Sequence, residues 1–344
     1  MLTDFIQPSD PRWSEALAAV RHDVYDLPSY LTLCAASEGA EATAFYAAEK
    51  GQYCLIPLLR RPLPAHLGAL GGWTDAISPY GYSGALFAGD AGWAARAVRA
   101  FGEACACRKI LSVLVRLHPL LPAPQPALDA IGVRVTHGET VWVDLTLSEA
   151  ELRANMRNDH RAGVRRLGRD GFSVRVDDWT LYGRYVEIYR ETMERLEADP
   201  YYHFPEDYFH LLRESLGPHL HLLSVLAPDG SVAAGGLFTE IQGTVQFHLS
   251  GTAECYRKQA PSKLMLEAAI VWAKASGNRI LHLGGGLGAR EDSLFQFKAG
   301  FSRLRSRFET WRIVCDAGRY TEMARAVEWR GEAGDYFPAY RKAA

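Results

Sequence analysis

The stretch HLGGGLGAREDSLFQFKAGF, residues 282–301, joins a strand ending in three consecutive glycines to an amphipathic segment that holds Lys298 between Phe297 and Phe301. Leu294, Phe297 and Phe301 recur at helical spacing, so they form an apolar stripe with the lysine at its edge. Two chemistries fit such a residue. Spacing alone favours a core helix whose lysine snorkels to water; the other reading is a cation placed for an anionic group. Gly284, Gly285, Gly286 and Gly288 could pass for a dinucleotide fingerprint, but that motif needs an acidic residue about 20 positions on, after a βαβ unit. Glu291 and Asp292 at the start of the following helix would also repel a pyrophosphate. The glycines more simply let the backbone pass close to a ligand or to a crossing strand.

A second chemical feature is ELRANMRNDHRAGVRRLGRD, in which Arg153, Arg157, Arg161, Arg165 and Arg169 recur every fourth residue, with His160 and Arg166 beside them. On one helix, steps of four drift by about 160° over the whole set, which makes a single basic face. Guanidinium forks suit phosphate oxygens, and within the arginine run from 153 to 170 only Asp159 and Asp170 offset the charge. The plain alternative is a solvated helix in an arginine-preferring chain. In the first half, TDAISPYGYSGAL sets Asp75, Tyr80 and Tyr82 among glycines, with Arg60, Arg61, Arg116 and His118 closing neighbouring strands. Tyr202, in PYYHFPEDYF, repeats the aromatic theme. These groups could recognise a sugar or nucleotide, or simply pack a loop.

The elements that must position these residues read as α/β. Helical patterns over PRWSEALAAVRHDVY and LPSYLTLCAAS lead into two strands with a Lys50-Gly51 turn, a long loop over 67–87, a helix near 90–106, the strand KILSVLVRLHP, a short helix near 124–131 and the strand VRVTHGETVWVDL. The order then repeats. Helices near 149–169, 179–198 and 206–215 precede three strands, a helix over 261–276, the strand RILHLG, a helix over 291–300 and the strand RSRFETWRIV. This predicts one α/β unit used twice, mixed sheets flanked by helices, with a ligand cleft between the copies. Ser148 and Glu151 form a capping-box pair, which puts the boundary near 146 and the domains at 1–146 and 147–344.

Composition excludes other classes. With 344 residues, 48% of them apolar, the chain can bury one large core or two ordinary ones. A net charge of −2 gives no global pull on nucleic acid, so any polyanion must be held by local patches. The absence of a membrane-length apolar run or a secretory start predicts a cytoplasmic protein without stable membrane insertion. The six cysteines read as reduced and buried. Neither a metal cluster nor a Ser-His-Asp or Cys-His set follows from spacing.

The basic helix NMRNDHRAGVRRLGRDGFSV, the strand FHLSGT, the helix SKLMLEAAIVWAKASG and LHLGGG followed by DSLFQFKAGF together resemble the FemABX-type members of the GNAT superfamily. These are non-ribosomal peptidyltransferases that use aminoacyl-tRNA to add amino acids to peptidoglycan precursors. The resemblance covers about 150–314; before residue 145, VYDLPSYL and SPYGYSGAL are similar to a bacterial GNAT or FemAB-like subgroup. It implies two tandem GNAT-like domains and no cofactor, with aminoacyl-tRNA as donor and an amine-bearing small molecule or cell-wall precursor as acceptor. By it, Phe297 and Lys298 are the Phe-Lys pair at the end of a channel that meets the 3′ end of the donor. Lys298 would neutralise the terminal phosphate or the developing oxyanion and Phe297 would stack near the terminal adenosine. His248 and Asp292, with Glu291, are the nearest groups that could act as a base. The donor side would include Arg157, Arg161, Arg165, Lys263, Gly284, Gly285 and Gly286, and the acceptor side Arg60, Arg61, Asp75, Tyr80, Tyr82 and Tyr202.

One departure bears on the donor. Where GNAT acyltransferases cradle coenzyme A with a glycine-rich loop at a helix N-terminus, this chain has Arg257-Lys258-Gln259-Ala260-Pro261-Ser262, without glycine and with a proline that lacks an N–H. An acyl-coenzyme A N-acyltransferase acting on an amino sugar is thus the second expectation. A non-catalytic tRNA- or polyanion-binding module is the third.

Overall fold

The computed structural model describes residues 1–65, 72–205, 207–327 and 336–342, so the loop expected over 67–87 lies partly outside the described residues. The strands in chain order are β1 (Leu2–Ile6), β2 (Glu41–Glu49), β3 (Gln52–Pro62), β4 (Thr74–Ile77), β5 (Leu86–Ala88), β6 (Ile110–Arg116), β7 (Val133–Asp144), β8 (Ser173–Val176), β9 (Leu220–Leu226), β10 (Val232–Ile241), β11 (Thr244–Thr252), β12 (Ile280–Gly284) and β13 (Leu304–Val314). The helices are α1 (Pro11–Ala19), α2 (Pro28–Glu38), α3 (Ala91–Cys107), α4 (Gln125–Leu128), α5 (Glu149–Asn155), α6 (Asn158–Arg169), α7 (Tyr182–Arg195), α8 (Tyr208–Leu216), α9 (Ser262–Ala275), α10 (Ser293–Ala299) and α11 (Ala317–Ala326).

Local chemistry explains many of the boundaries. Lys50 and Gly51, at φ 52° and 79°, turn β2 into β3, and Gln242 and Gly243, at 48° and 77°, turn β10 into β11. Two left-handed residues match the twist of the paired strands. The Asp10 carboxylate accepts from Arg12 N ahead of Pro11, the Asp90 carboxylate from Trp93 N, and Ser148 with Glu151 closes a capping box. Each such cap is worth about 1 kcal/mol.

Two compact units result, Met1–His137 with Phe308–Ala344, and Gly138–Arg307. In the first, β1, β2, β3 and β4 are antiparallel neighbours, β4 runs parallel to β6, β6 pairs antiparallel with β13, and β5 adds to β3. In the second, β8, β9, β10 and β11 are antiparallel neighbours, β11 runs parallel to β12, and β12 pairs antiparallel with β7. The two patterns agree strand for strand, so the duplicated mixed α/β unit is present. Its closing strands do not follow sequence order. β7, from the first half of the chain, buries Val141 and Val143 against Leu281 and Leu283, while Trp311 and Ile313 of the late strand β13 pack with Phe101 and Val113. The compact units therefore differ from the linear halves 1–146 and 147–344.

In the second unit helices cover both sheet faces. Gly236 lies under Met265 of α9, and its neighbour Gly235 lies under Tyr185 of α7. A side chain at either would meet these residues within about 3 Å, and alternate strand residues point to opposite faces. Two sequence expectations are corrected here. The helix near 149–169 is two helices, broken at Met156 (ψ 142°), where the chain turns so that Arg157 N bonds to Gly300 O at 2.8 Å. Arg153 thus lies on α5, Arg157 stands at the N-cap position of α6, and of the five only Arg161, Arg165 and Arg169 lie within α6, so the single five-arginine face does not form. Of the cysteines, Cys107 and Cys255 are exposed rather than buried.

Candidate functional site

The parallel pair β11 and β12 is joined over a short register, Thr244–Gln246 against Ile280–His282. Beyond it the strands follow different partners. β11 bulges against β10, where the pairs jump from Leu237↔Leu249 to Phe238↔Phe247 and leave His248 extra. β12 stays with β7 as far as Gly284↔Val141, then leaves the sheet through Gly284 at φ 76°. A bulge bends its strand and re-aims the neighbouring side chains. Phe247, the glycines and α10 meet at this parted end.

Lys298 does not snorkel. It is 8% exposed, its Nζ donates to the Gly285 carbonyl at 2.6 Å, and the ammonium lies 5.8 Å from the centre of the Phe247 ring. Burial pushes the amine down to about 8, while the Asp292 carboxylate pulls it up. The group is thus mostly protonated at neutral pH, yet close to losing its proton. Asp292 is the N-cap of α10, accepting from Phe295 N and from Leu287 N, both at 2.9 Å, so its oxygens staple the loop. The glycines serve that staple. A Cβ on Gly286 would collide with Arg290 O and Asp292 Oδ1, and one on Gly285 would lie 3.1 Å from Glu139 O of β7. This is the close approach to a crossing strand that the sequence suggested.

A pH dependence follows from the lysine. Between about 8, the folded value, and 10.5, the ordinary one, the unfolded chain holds the proton and the folded chain does not, so stability rises with pH in that window. At about 1.4 kcal/mol per unit, wild type is expected to gain about 3 kcal/mol on Lys298→Met between pH 8 and 10.5. Denaturant unfolding of both proteins across that range checks it; a difference that does not change with pH would refute the buried amine.

The arginine helix reaches this site through its first turn. His160, 1% exposed, places Nδ1 3.0 Å from Asp159 Oδ2 and Nε2 3.0 Å from Phe297 O. Its ring packs 5.5 Å from that of half-buried Phe297 and 4.7 Å from that of Phe301. Lys263 of α9 donates to Asp159 at 3.1 Å. Burial pushes the Asp159 carboxyl up, but the hydrogen bonds from Lys263 and His160 outweigh it and hold it down at about 2. Arg157 also approaches Asp159, at 3.4 Å, and Arg161 donates to Arg153 O at 3.1 Å and to Asn158, while the Arg165 side chain is exposed. His160 and Phe247 went unassigned by sequence reasoning. The signals were an Asp-His pair opening a basic helix and the aromatic that opens FHLSGT.

The first-unit candidates separate. Asp75 is fully buried, held by Arg61 at 3.0 Å, by the Tyr340 hydroxyl at 3.1 Å and by Arg341. Arg60 pairs with Glu41 at the surface. Tyr80 accepts at its carbonyl from the Tyr30 hydroxyl at 3.1 Å, and the Tyr82 ring lies edge-on to Phe308 at 5.4 Å. Tyr202, in the second unit, accepts at its carbonyl from Tyr189. Among the described residues no group of three or more His, Cys, Asp or Glu is arranged to hold a metal ion, and no helix is long and apolar enough to cross a membrane.

Residues 154–298 match the acetyltransferase (GNAT) domain family, over less than half of the chain. No curated protein matches the sequence. Among solved structures, FemX is similar at 14% identity over 94% of this chain and 99% of its own, with a TM-score of 0.70. The C-terminal domain of a protein described as a lysylphosphatidylglycerol synthetase from Agrobacterium fabrum is similar at 14% identity over 90% and 92%, TM-score 0.56. L-PGS from Bacillus licheniformis is similar at 12% identity over 93% and 96%, TM-score 0.58. At such identities the likeness is one of fold. Lys298 closes the matched segment, and its helix, the parted strands and α6 all lie in the same unit. The chain is thus FemX-like in fold, and its residues 154–298 match the acetyltransferase (GNAT) domain family.

Proposed function

We propose that the protein transfers an amino acid from aminoacyl-tRNA to an amine, forming an amide on a cell-wall precursor or a small peptide-like molecule. The observation that carries this reading is the buried Lys298 amine at the parted ends of β11 and β12, joined through His160 to a helix that carries Arg161, Arg165 and Arg169. Similarity to a protein named for a lysylated product supports an aminoacyl donor. The reading places the protein in the cytoplasm, without membrane insertion.

In the proposed reaction the acceptor amine attacks the ester carbonyl. A C–N bond forms, the C–O bond to the terminal ribose breaks, and the proton lost by the amine ends on the ribose oxygen. Lys298 donates to the oxygen on which charge develops or to the terminal phosphate, and Phe297 lies against the terminal adenosine. An α-amine with a pKa of about 7.7–8 is roughly one-tenth neutral at pH 7, a cost near 1 kcal/mol that positioning offsets. A lysine acceptor would cost roughly 4–5 kcal/mol and need a base. His248, at the bulge, is the candidate for that role; the Asp292 oxygens are engaged in capping.

The test supplies all charged tRNAs beside acetyl-coenzyme A, with candidate amines, and reads products by mass spectrometry. Transfer that survives RNase treatment of the donor would end the tRNA reading. The GNAT domain match favours an acyl-coenzyme A donor; with an amino sugar as acceptor this is the second reading, which acyl transfer from coenzyme A alone would select. RNA binding without any product would select a non-catalytic module. Replacing Arg157, Arg161 and Arg165 together with glutamine is expected to flatten the log–log salt dependence of tRNA binding by about 2–3, since each phosphate contact contributes about 0.7–0.9. Binding measured between 50 and 200 mM salt gives the slope, and an unchanged slope would take these arginines out of the donor site.

A further inference from the structure

Two short helices of the second unit are joined end to start at the proposed site. At the end of α10 the Phe297 carbonyl accepts the Gly300 N–H at 3.1 Å and the Lys298 carbonyl accepts the Phe301 N–H at 3.0 Å, and the first turn of α6 adds two contacts to this end. Arg157 N donates to Gly300 O at 2.8 Å, and His160 Nε2 stands 3.0 Å from Phe297 O. That carbonyl belongs to the peptide bond between Phe297 and Lys298. The other ring nitrogen, Nδ1, faces Asp159 Oδ2 at 3.0 Å, and Asp159 is in turn held by Lys263 at 3.1 Å. A chain of contacts thus runs from α9 through Asp159 and His160 to the backbone that carries Lys298. Gly300 is part of the arrangement, because a Cβ there would collide with the imidazole. Its φ of −70° suits any residue, so clearance for the ring is what the position requires.

Resting on the transferase reading, we propose that His160 is a positioning residue: by bridging Asp159 and the Phe297–Lys298 peptide it fixes where the Lys298 amine is presented. Both ring nitrogens face oxygen acceptors, so a neutral ring donates to one and the imidazolium donates to both. Burial lowers the ring's pKa, while Asp159 and the Phe297 carbonyl raise it and Lys263 lowers it. The ring is also wedged between the side chains of Phe297 and Phe301, so packing and hydrogen bonding aim the same helix end. His160 itself need touch neither donor nor acceptor. Its effect is on geometry, and small misplacements of a group that acts in the transition state can cost up to about a hundredfold in rate.

The experiment reads the Lys298 amine directly and so does not depend on the identity of the donor. Its titration is followed by NMR of protein carrying 13C-labelled lysine, the Lys298 signal being assigned with Lys298→Met, in wild type, His160→Ala, His160→Gln and Gly300→Ala. Wild type is expected to titrate near 8. In His160→Ala and Gly300→Ala the freed helix end lets water reach the amine, and the midpoint is expected to rise by a unit or more. His160→Gln, whose amide can still donate to the Phe297 carbonyl, is expected to stay near wild type. With charged tRNA and an amine acceptor, His160→Ala is expected to lower kcat about tenfold or more with little change in the KM for donor. A Lys298 titration unchanged in His160→Ala and Gly300→Ala, or a glutamine variant that behaves as the alanine one, overturns the proposal. Absence of transfer by wild type from any charged tRNA overturns the donor reading instead, and leaves the titration to decide on His160. Circular dichroism at each pH confirms that the variants compared are folded.

Discussion

Replacing Lys298 with alanine is expected to lower the turnover of transfer by about two to three orders of magnitude, the usual cost of removing one donor to a developing negative charge. The amine is placed for such a role by its surroundings. Its Nζ is buried on the Gly285 carbonyl beside the Phe247 ring, so a substrate oxygen that reached it would do so in surroundings of low polarity, where a single N–H contributes far more than in water. The interaction strengthens as charge forms, so kcat should fall with kcat/KM and donor binding should change less. Lys298→Arg tests the geometry: its planar fork is not interchangeable with a compact ammonium, least of all in a pocket that encloses one, and it is not expected to restore turnover. Steady-state rates with charged tRNA and a fixed amine acceptor measure the effect. Turnover within threefold of wild type in Lys298→Ala would remove the residue from the reaction and with it the reading of the parted strands as the site of transfer.

Asp75→Ala is expected to destabilise the protein by about 3–5 kcal/mol, because it removes the shared partner of two arginines and leaves their charges unpaired. The carboxylate is fully buried at the register pair Arg61↔Asp75 between β3 and β4. It receives Arg61 on one side and Arg341 with the Tyr340 hydroxyl on the other, and that hydroxyl continues to Ser112 of β6 at 2.7 Å. The carboxylate thus anchors the turn near 340 to the first sheet. Denaturant unfolding gives the loss. Arg60→Ala provides the contrast: its partner Glu41 is exposed, and a surface pair is worth about 1 kcal/mol or less. An Asp75→Ala protein within 1 kcal/mol of wild type would show that the arginines find water instead, and would reopen Asp75 as a group available to an acceptor.

Much of the local structure was legible. The Lys50-Gly51 and Gln242-Gly243 turns, the Ser148 capping box and the helix that carries Lys298 each rest on residues close together in the chain. β1, β4, β5 and β8 escaped notice because none has more than 5 residues, and β4 with the start of β5 falls inside the stretch 67–87 read as a loop. The five-step arginine pattern misled for a related reason. Periodicity cannot register a break at Met156 whose cause is the carbonyl of Gly300, more than a hundred residues away. Lys298 was misjudged on spacing for the same cause. The stripe places it at an edge, but whether an edge lysine turns out to water or in to a carbonyl depends on Gly285, which local pattern does not locate.

By itself the sequence determined the alternation of helices and strands, the duplicated α/β unit, and the residue types gathered in HLGGGLGAREDSLFQFKAGF, since periodicity, turn chemistry and caps act over a few residues. Which strand closes each sheet was decided by the tertiary structure alone. β7 pairs with β12, and β13 with β6, because Val141 and Trp311 find their apolar partners there, and burial against distant surface outweighs order along the chain. The same level of structure parted β11 from β12, turned Lys298 inward and set His160 against its backbone, because each of these depends on a contact between segments that only the folded chain brings together.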